Sequence, residues 1–134
     1  MEWIKPLPVA SGETKPFWDA CKEGKFLIQK CKTCNEYQYH YRAFCSHCWF
    51  GEIQDIESKG DGNIWSFTVI NRNRSPGFID DVPYVVAMIE IEGGLKIISN
   101  VINCDPWKVY IGMPVKLTFT KATEEWTLPM FEPS

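Results

Sequence analysis

No stretch of this 134-residue chain is a candidate membrane span. Its longest apolar runs fall far below the roughly 20 residues that cross a bilayer. The N-terminal stretch "MEWIKPLPVASGE" has prolines and charges where a secretory signal needs an apolar core, so the sequence predicts a cytoplasmic protein. A basic surplus is missing too: the formal net charge is -3. Up to Lys59 there are eight basic and eight acidic side chains, and beyond it six basic and nine acidic. The acidic excess therefore lies wholly in the second part, which argues against nucleic acid, whose binding draws most of its affinity from cations on phosphates. Histidine is scarce, with only His40 and His47. A glycine-rich phosphate loop and a nucleophile–base–oxyanion set are both missing, so catalysis by this chain alone has no positive support.

What is present is cysteine in pairs. Cys31-x-x-Cys34 and Cys45-x-x-Cys48 are separated by ten residues. In a reducing compartment such pairs are metal ligands or redox centres before they are disulfides. Two tight knuckles converging on one ion supply the four soft donors that tetrahedral zinc takes, and no position then remains for substrate. The expected cofactor is thus a structural Zn2+. Iron in an electron-transfer site is the competing metal, since four sulfurs accept either. His40 and His47 read as polar hairpin residues, because four cysteines suffice. Cys21 and Cys104 stand alone and read as small apolar fillers.

Composition divides the chain into an N-terminal arm and short helix (1–25), a cysteine-knuckle ribbon (26–59) and a strand-rich unit (60–134). In "TKPFWDACKEG", Thr14 is placed to cap a helix, Pro16 is tolerated in the first turn and Gly24 ends it. Phe17, Trp18 and Cys21 share one face. Further on, Trp65, Phe67 and Val69 alternate against Ser66 and Thr68. Val85, Ala87, Ile89 and Ile91 line one face, "EGG" makes a hairpin turn, and Val115, Leu117 and Phe119 alternate again. Five short strands predict a mainly β fold ending in a small, partly open antiparallel barrel of the OB type.

Two surfaces stand out. Tyr37, Tyr39, Tyr41, Phe44, Trp49 and Phe50 crowd the knuckles, which suits packing around a small metal site first and a partner interface second. In "NRNRSPGFIDDVPYV", Arg72 and Arg74 precede a Pro-Gly turn and Asp80-Asp81. They are either a grip on phosphates or carboxylates or a solvated loop with its own Arg–Asp pairs.

The segments "ETKPFWDACKEGKFLIQKCKTCNEYQYHYRAFCSHC", "GNIWSFTVINR", "DDVPYVVAMIEIEGGLKIISNVINC" and "IGMPVKLTFTK" resemble the domain of unknown function 35 family from Pro16 to Phe131. That resemblance implies a rubredoxin-like zinc ribbon joined to a C-terminal OB-fold, with Cys31, Cys34, Cys45 and Cys48 as the zinc ligands. It also implies a non-catalytic accessory subunit of a thiolase-like or lipid-transfer-protein-type enzyme in acyl-CoA metabolism. Degradation of an aromatic or branched acid is one setting. Arg72, Arg74 and Phe78 become candidates for contact with CoA or the partner. The alternative is a stand-alone acyl-CoA-binding or carrier protein.

Overall fold

The computed structural model describes residues 3–134. Helix α1 (Lys15–Lys22) leads into an antiparallel sheet of β1 (Leu27–Cys31), β2 (Tyr37–Gln38) and β3 (Ile53–Glu57), ordered β2-β1-β3. The strands β4 (Asp61–Ile70), β5 (Tyr84–Glu90), β6 (Lys96–Val101), β7 (Pro114–Lys121) and β8 (Thr127–Pro133) then form a closed barrel in the order β4-β5-β6-β8-β7.

Helix α1 ends as its sequence predicts. Gly24 adopts φ +79, its N–H donates to the Cys21 carbonyl at 3.0 Å, and the Lys25 N–H donates to Ala20 at 2.9 Å. This pair of bonds satisfies carbonyls that the helix end leaves open. The start differs from expectation. Thr14 occupies the N-cap position but makes no side-chain cap bond. Its hydroxyl accepts instead from the Ser11 N–H at 3.0 Å, while the Thr14 N–H donates to Ser11 Oγ at 3.1 Å. The polar exchange thus sits one turn earlier than the sequence suggests.

The expected helix face docks. Phe17 and Cys21 are buried, and Trp18 meets Trp126 of the segment before β8 edge-on at 5.6 Å. Phe17 also packs edge-on against Phe26 and Tyr39, and those two rings stack at 5.5 Å. Burying one such phenyl ring contributes about 2–3 kcal/mol. Rings therefore supply the ribbon's packing where aliphatic residues are few.

In the barrel, Val85, Ala87 and Ile89 of β5 point inward with Ile97, Val101, Val115 and Phe131, all nearly inaccessible. Two details depart from the sequence reading. First, Trp65 does not share a face with Phe67 and Val69. A bulge between Ile64 and Ser66 inserts one residue into β4, so Ile64 is buried and Trp65 is 54% exposed. One extra residue reverses the facing of everything before it. Second, the barrel is closed rather than partly open, because β4 pairs with β7 from Asp61–Lys116 to Asn63–Pro114. Five strands cannot be antiparallel at every seam of a ring. The odd seam is β6–β8, parallel through Val101 and Phe131.

Ribbon and barrel are locked at one joint. Ser58 Oγ bonds Glu92, and the Lys59 N–H donates to the same carboxylate at 3.0 Å. Gly93 adopts φ +73, and a Cβ there would fall 2.4 Å from the Tyr37 ring. Only glycine fits this approach of the β5–β6 turn to the ribbon.

Candidate metal centre and its surroundings

The four paired cysteines come from the two knuckles, one following β1 and one preceding β3. Their sulfurs all lie within 4.8 Å of one another. Cys31 Sγ is 3.7 Å from Cys48 Sγ, and Cys34 Sγ is 3.6 Å from Cys45 Sγ. Sulfurs about 2.3 Å from a tetrahedral zinc would stand about 3.8 Å apart, so the observed edges suit one ion of that size. Cys31 and Cys45 are buried, and Cys34 and Cys48 are half-buried.

Each knuckle feeds backbone donors to its first sulfur. Thr33 and Cys34 N–H groups reach Cys31 Sγ at 3.4 Å each, and His47 and Cys48 N–H groups reach Cys45 Sγ at 3.3 and 3.4 Å. Those donors favour thiolate. The Cys48 N–H beside Cys45 leads in holding its thiol down at about 6, and the Cys34 N–H leads in lowering Cys31. Cys34 moves the other way, to about 12. A backbone N–H at Glu36 opposes the rise, but burial and the three neighbouring sulfurs outweigh it. Four sulfurs this close cannot all ionise without a cation between them, and that electrostatic demand is what a divalent metal meets.

Gly51 closes the site from the side. A Cβ there would lie 1.9 Å from Cys31 Sγ and 3.0 Å from Cys48 Sγ. Nothing in residue spacing marks Gly51 out, since it follows the second pair by three positions. Nor did the sequence reveal two buried glutamines that hold the second knuckle. Gln29 Oε1 accepts from Gln38 Nε2 at 2.7 Å and from the Arg42 N–H at 3.0 Å, while Gln29 Nε2 donates to the Arg42 carbonyl at 2.9 Å. Gln38 Oε1 accepts from the N–H and hydroxyl of Ser46, both at 2.9 Å. Being so fully bonded, the pair is tolerable under cover, and it fixes the backbone on both sides of Cys45.

His40 and His47 are both exposed, and His47 Nε2 lies 3.3 Å from the Tyr37 carbonyl. The knuckle aromatics divide. Tyr37, Tyr39 and Tyr41 pack against the core, whereas Phe44, Trp49 and Phe50 are 40%, 67% and 94% exposed. Phe44 and Trp49 stack on each other at 5.3 Å.

Arg72 and Arg74 are exposed on the loop between β4 and β5. The Arg–Asp pairing weighed from the sequence does not form: among the described residues, Asp81 pairs with Lys5 and neither guanidinium has a carboxylate within 4.0 Å. Phe78 is half-buried, tilted on Tyr84 at 5.8 Å with the Lys5 ammonium 5.4 Å from its ring. Cys104 has its thiol pushed up by burial and then by Asp105, and Cys21 is raised to about 12 by burial. Both are therefore poor thiolates near neutral pH. No helix among the described residues is long and apolar enough to cross a membrane.

A cysteine-knuckle ribbon docked through one helix onto a five-stranded barrel defines a class, the ribbon-plus-OB-fold proteins. Residues 18–53 match the model for the ChsH2 rubredoxin-like zinc ribbon domain, and residues 55–120 the model for the ChsH2 C-terminal OB-fold domain. A DUF35 domain-containing scaffold protein of Methanothermobacter thermautotrophicus is 36% identical over 97 residues, covering 72% of each chain. The chain belongs to this DUF35 family. A probable enoyl-CoA hydratase alpha subunit of Thermomonospora curvata is 31% identical over 98% of this chain, which spans only 40% of that subunit's length. Among solved structures, a chain described as Ltp2-ChsH2(DUF35) aldolase superposes with a TM-score of 0.84 at 31% identity, over 95% of this chain and 98% of that one.

Proposed function

We propose that this chain is a non-catalytic accessory subunit of a thiolase-type complex in acyl-CoA metabolism, organised around one structural zinc held by Cys31, Cys34, Cys45 and Cys48. The observation that carries the reading is the near end-to-end likeness, at 31% identity, to the DUF35 chain of an aldolase named together with Ltp2. The hydratase alpha subunit that it matches over 98% of its length supports the same kind of role beside an acyl-CoA enzyme.

Physical chemistry supports this division of labour. Zinc with four sulfur ligands is coordinatively closed and stabilises the fold rather than acting on substrate. The exposed Phe44, Trp49 and Phe50 are aromatic anchors of the kind that dominate protein interfaces. Arg72 and Arg74, which have no carboxylate partner among the described residues, are the residues placed to meet a CoA phosphate or an acidic patch on the partner. Phe78, engaged by Lys5 and Tyr84, shapes that loop rather than reaching outward. Degradation of an aromatic or branched acid, with thiolytic release of a shorter acyl-CoA, is the proposed setting.

A second reading, a stand-alone acyl-CoA carrier, draws on the same two arginines. Calorimetry of the isolated zinc-loaded chain with CoA separates the two. The accessory reading expects binding weaker than about 100 µM, a weak site on the affinity scale, and thioester turnover only after a catalytic partner is added. Micromolar CoA binding lost in Arg72→Ala establishes the carrier instead, and turnover of acyl-CoA by the isolated chain overturns both.

A further inference from the structure

The β4–β5 loop, residues 71–83, sets its two arginines through the residue between them. Asn73 is half-buried, while Arg72 and Arg74 on either side are exposed. Asn73 Nδ2 donates to the Tyr84 hydroxyl at 2.9 Å, and its Oδ1 accepts from the Ser75 N–H at 2.9 Å. With Asn73 bonded inward, both flanking side chains are left on the solvent side. Other backbone bonds of the loop are local. The Phe78 and Ile79 N–H groups donate to the Ser75 carbonyl at 3.0 and 3.2 Å, and the Asp81 N–H to that of Phe78 at 2.9 Å. Such bonds shape turns within the loop but do not tie it to the rest of the chain.

The N-terminal arm supplies that tie. The Tyr84 ring lies tilted on Phe78 at 5.8 Å, and the Lys5 ammonium stands 5.4 Å from the Phe78 ring centre. Lys5 also pairs with Asp81 and lies 4.9 Å from the ring centre of Trp3. One ammonium thus meets a ring and a carboxylate of the loop and a ring of its own arm. Its side chain is only 26% exposed, and a cation–ring contact strengthens as the cation leaves water. Gly77 makes room for the arm. It adopts φ +87, and a Cβ there would come within 2.7 Å of Lys5 Cγ and 3.1 Å of the Lys5 backbone nitrogen.

We propose that the N-terminal arm is a clamp on this loop. Lys5 is its positioning residue, acting through Phe78, Tyr84 and Asn73 to hold Arg72 and Arg74 in one outward arrangement. The use of the clamp rests on the accessory-subunit reading, in which those arginines meet an anionic group. A loop ordered in advance spares the ordering cost that binding otherwise carries.

Trypsin reads the order of the loop on the full zinc-loaded chain. The arginines of the chain are Arg42, Arg72 and Arg74, and Arg42, exposed in the ribbon, is the internal control. The Lys5–Pro6 bond resists trypsin, so the arm itself stays intact. With dilute protease, cleavage follows the population of the opened loop, and the first fragments are timed by mass spectrometry. Lys5→Ala should speed cleavage after Arg72 and Arg74 about tenfold or more, the combined worth of the ion pair and the ring contacts. Cleavage after Arg42 and the bound zinc should not change. Lys5→Arg, which keeps the charge and the ring contacts, should return the rate to within about twofold of the parent. Tyr84→Phe keeps the ring on Phe78 and removes only the hydroxyl, and should speed the same two cuts about threefold or more. Unchanged cleavage in Lys5→Ala or Tyr84→Phe, equal acceleration at Arg42, or no rescue by Lys5→Arg would overturn the proposal. The assay contains neither CoA nor a partner chain. Its failure therefore leaves the accessory-subunit reading standing, and a failure to capture a partner leaves the clamp standing.

Discussion

Asn35 and Trp49 occupy equivalent places, each immediately after the second cysteine of its pair and each in the left-handed region, at φ 62 and 69. Both donate their N–H to the carbonyl of the first cysteine, at 3.0 and 3.1 Å. Asparagine tolerates that conformation, and tryptophan does so only at a cost of about 1–2 kcal/mol. The second knuckle thus carries a strained, 67% exposed indole where asparagine would be easier for the backbone.

The first prediction follows from that pairing. Trp49→Asn removes the strain and also the stacking on Phe44, worth about 0.5–1.5 kcal/mol. Stability measured by thermal unfolding should therefore change by less than about 1 kcal/mol. Affinity for the proposed catalytic partner should fall at least about tenfold, as for an aromatic anchor. Full partner affinity in Trp49→Asn would remove Trp49 from the interface.

Gly51→Ala should damage the metal centre directly. The new methyl would stand 1.9 Å from Cys31 Sγ, and no rotamer change can move a backbone-attached carbon away. We expect a loss of at least about 1–3 kcal/mol, as for overpacking, and less than stoichiometric zinc by elemental analysis. Gly12→Ala, which meets nothing within 4 Å, is the matched control and should retain both.

Zinc removal should collapse the ribbon, because a site of this kind ties metal binding to folding. Near-ultraviolet circular dichroism should lose the signal of the rings stacked around the knuckles, and the melting transition should broaden and fall. Cys45→Ser should reproduce chelation. Cys104→Ser, outside the cluster, should stay within about 0.5 kcal/mol of the parent.

Alkaline pH should expose the buried Cys21. Burial raises its thiol from 9.0 to about 12, so below pH 9 folded and unfolded chains both keep the proton and its contribution to stability is intact. Between pH 9 and about 12 the unfolded thiol ionises while the folded one does not, and stability is lost as pH rises. Tyr41, raised to about 12 by burial and by the bond it gives Asp55, adds to the same trend. Cys21→Val should lessen the alkaline slope by as much as about 1.4 kcal/mol per pH unit. Identical slopes in chemical unfolding from pH 8.5 to 11 would show that Cys21 is not the titrating group.

The parts legible in the sequence are those governed by short-range periodicity. The inward row Val85, Ala87, Ile89 needs only the two-residue repeat of a strand, and Gly24 needs only the geometry of a helix end. The convergence of Cys31, Cys34, Cys45 and Cys48 was legible because spacing within a knuckle is local. What escaped depends on distant partners. The bulge that turns Trp65 outward answers to pairing with Met88 and Ile89 across the sheet, which no window around Trp65 contains. Thr14 fits a capping rule, yet Ser11 competes for its hydroxyl. Nothing local marks Gln29 and Gln38 for burial; folding brings Arg42 and Ser46 to them from elsewhere in the chain. Gly51 became informative only once two sulfurs stood against it.

The central claim is that this chain works as one subunit beside a catalytic one. Its most direct test is gentle affinity capture of the tagged protein from its native host, with bound chains identified and counted by mass spectrometry. The account predicts a thiolase-like chain in near-stoichiometric amount, reduced at least about tenfold when Trp49→Asn is the bait. Recovery of the protein alone across a range of salt concentrations would contradict it.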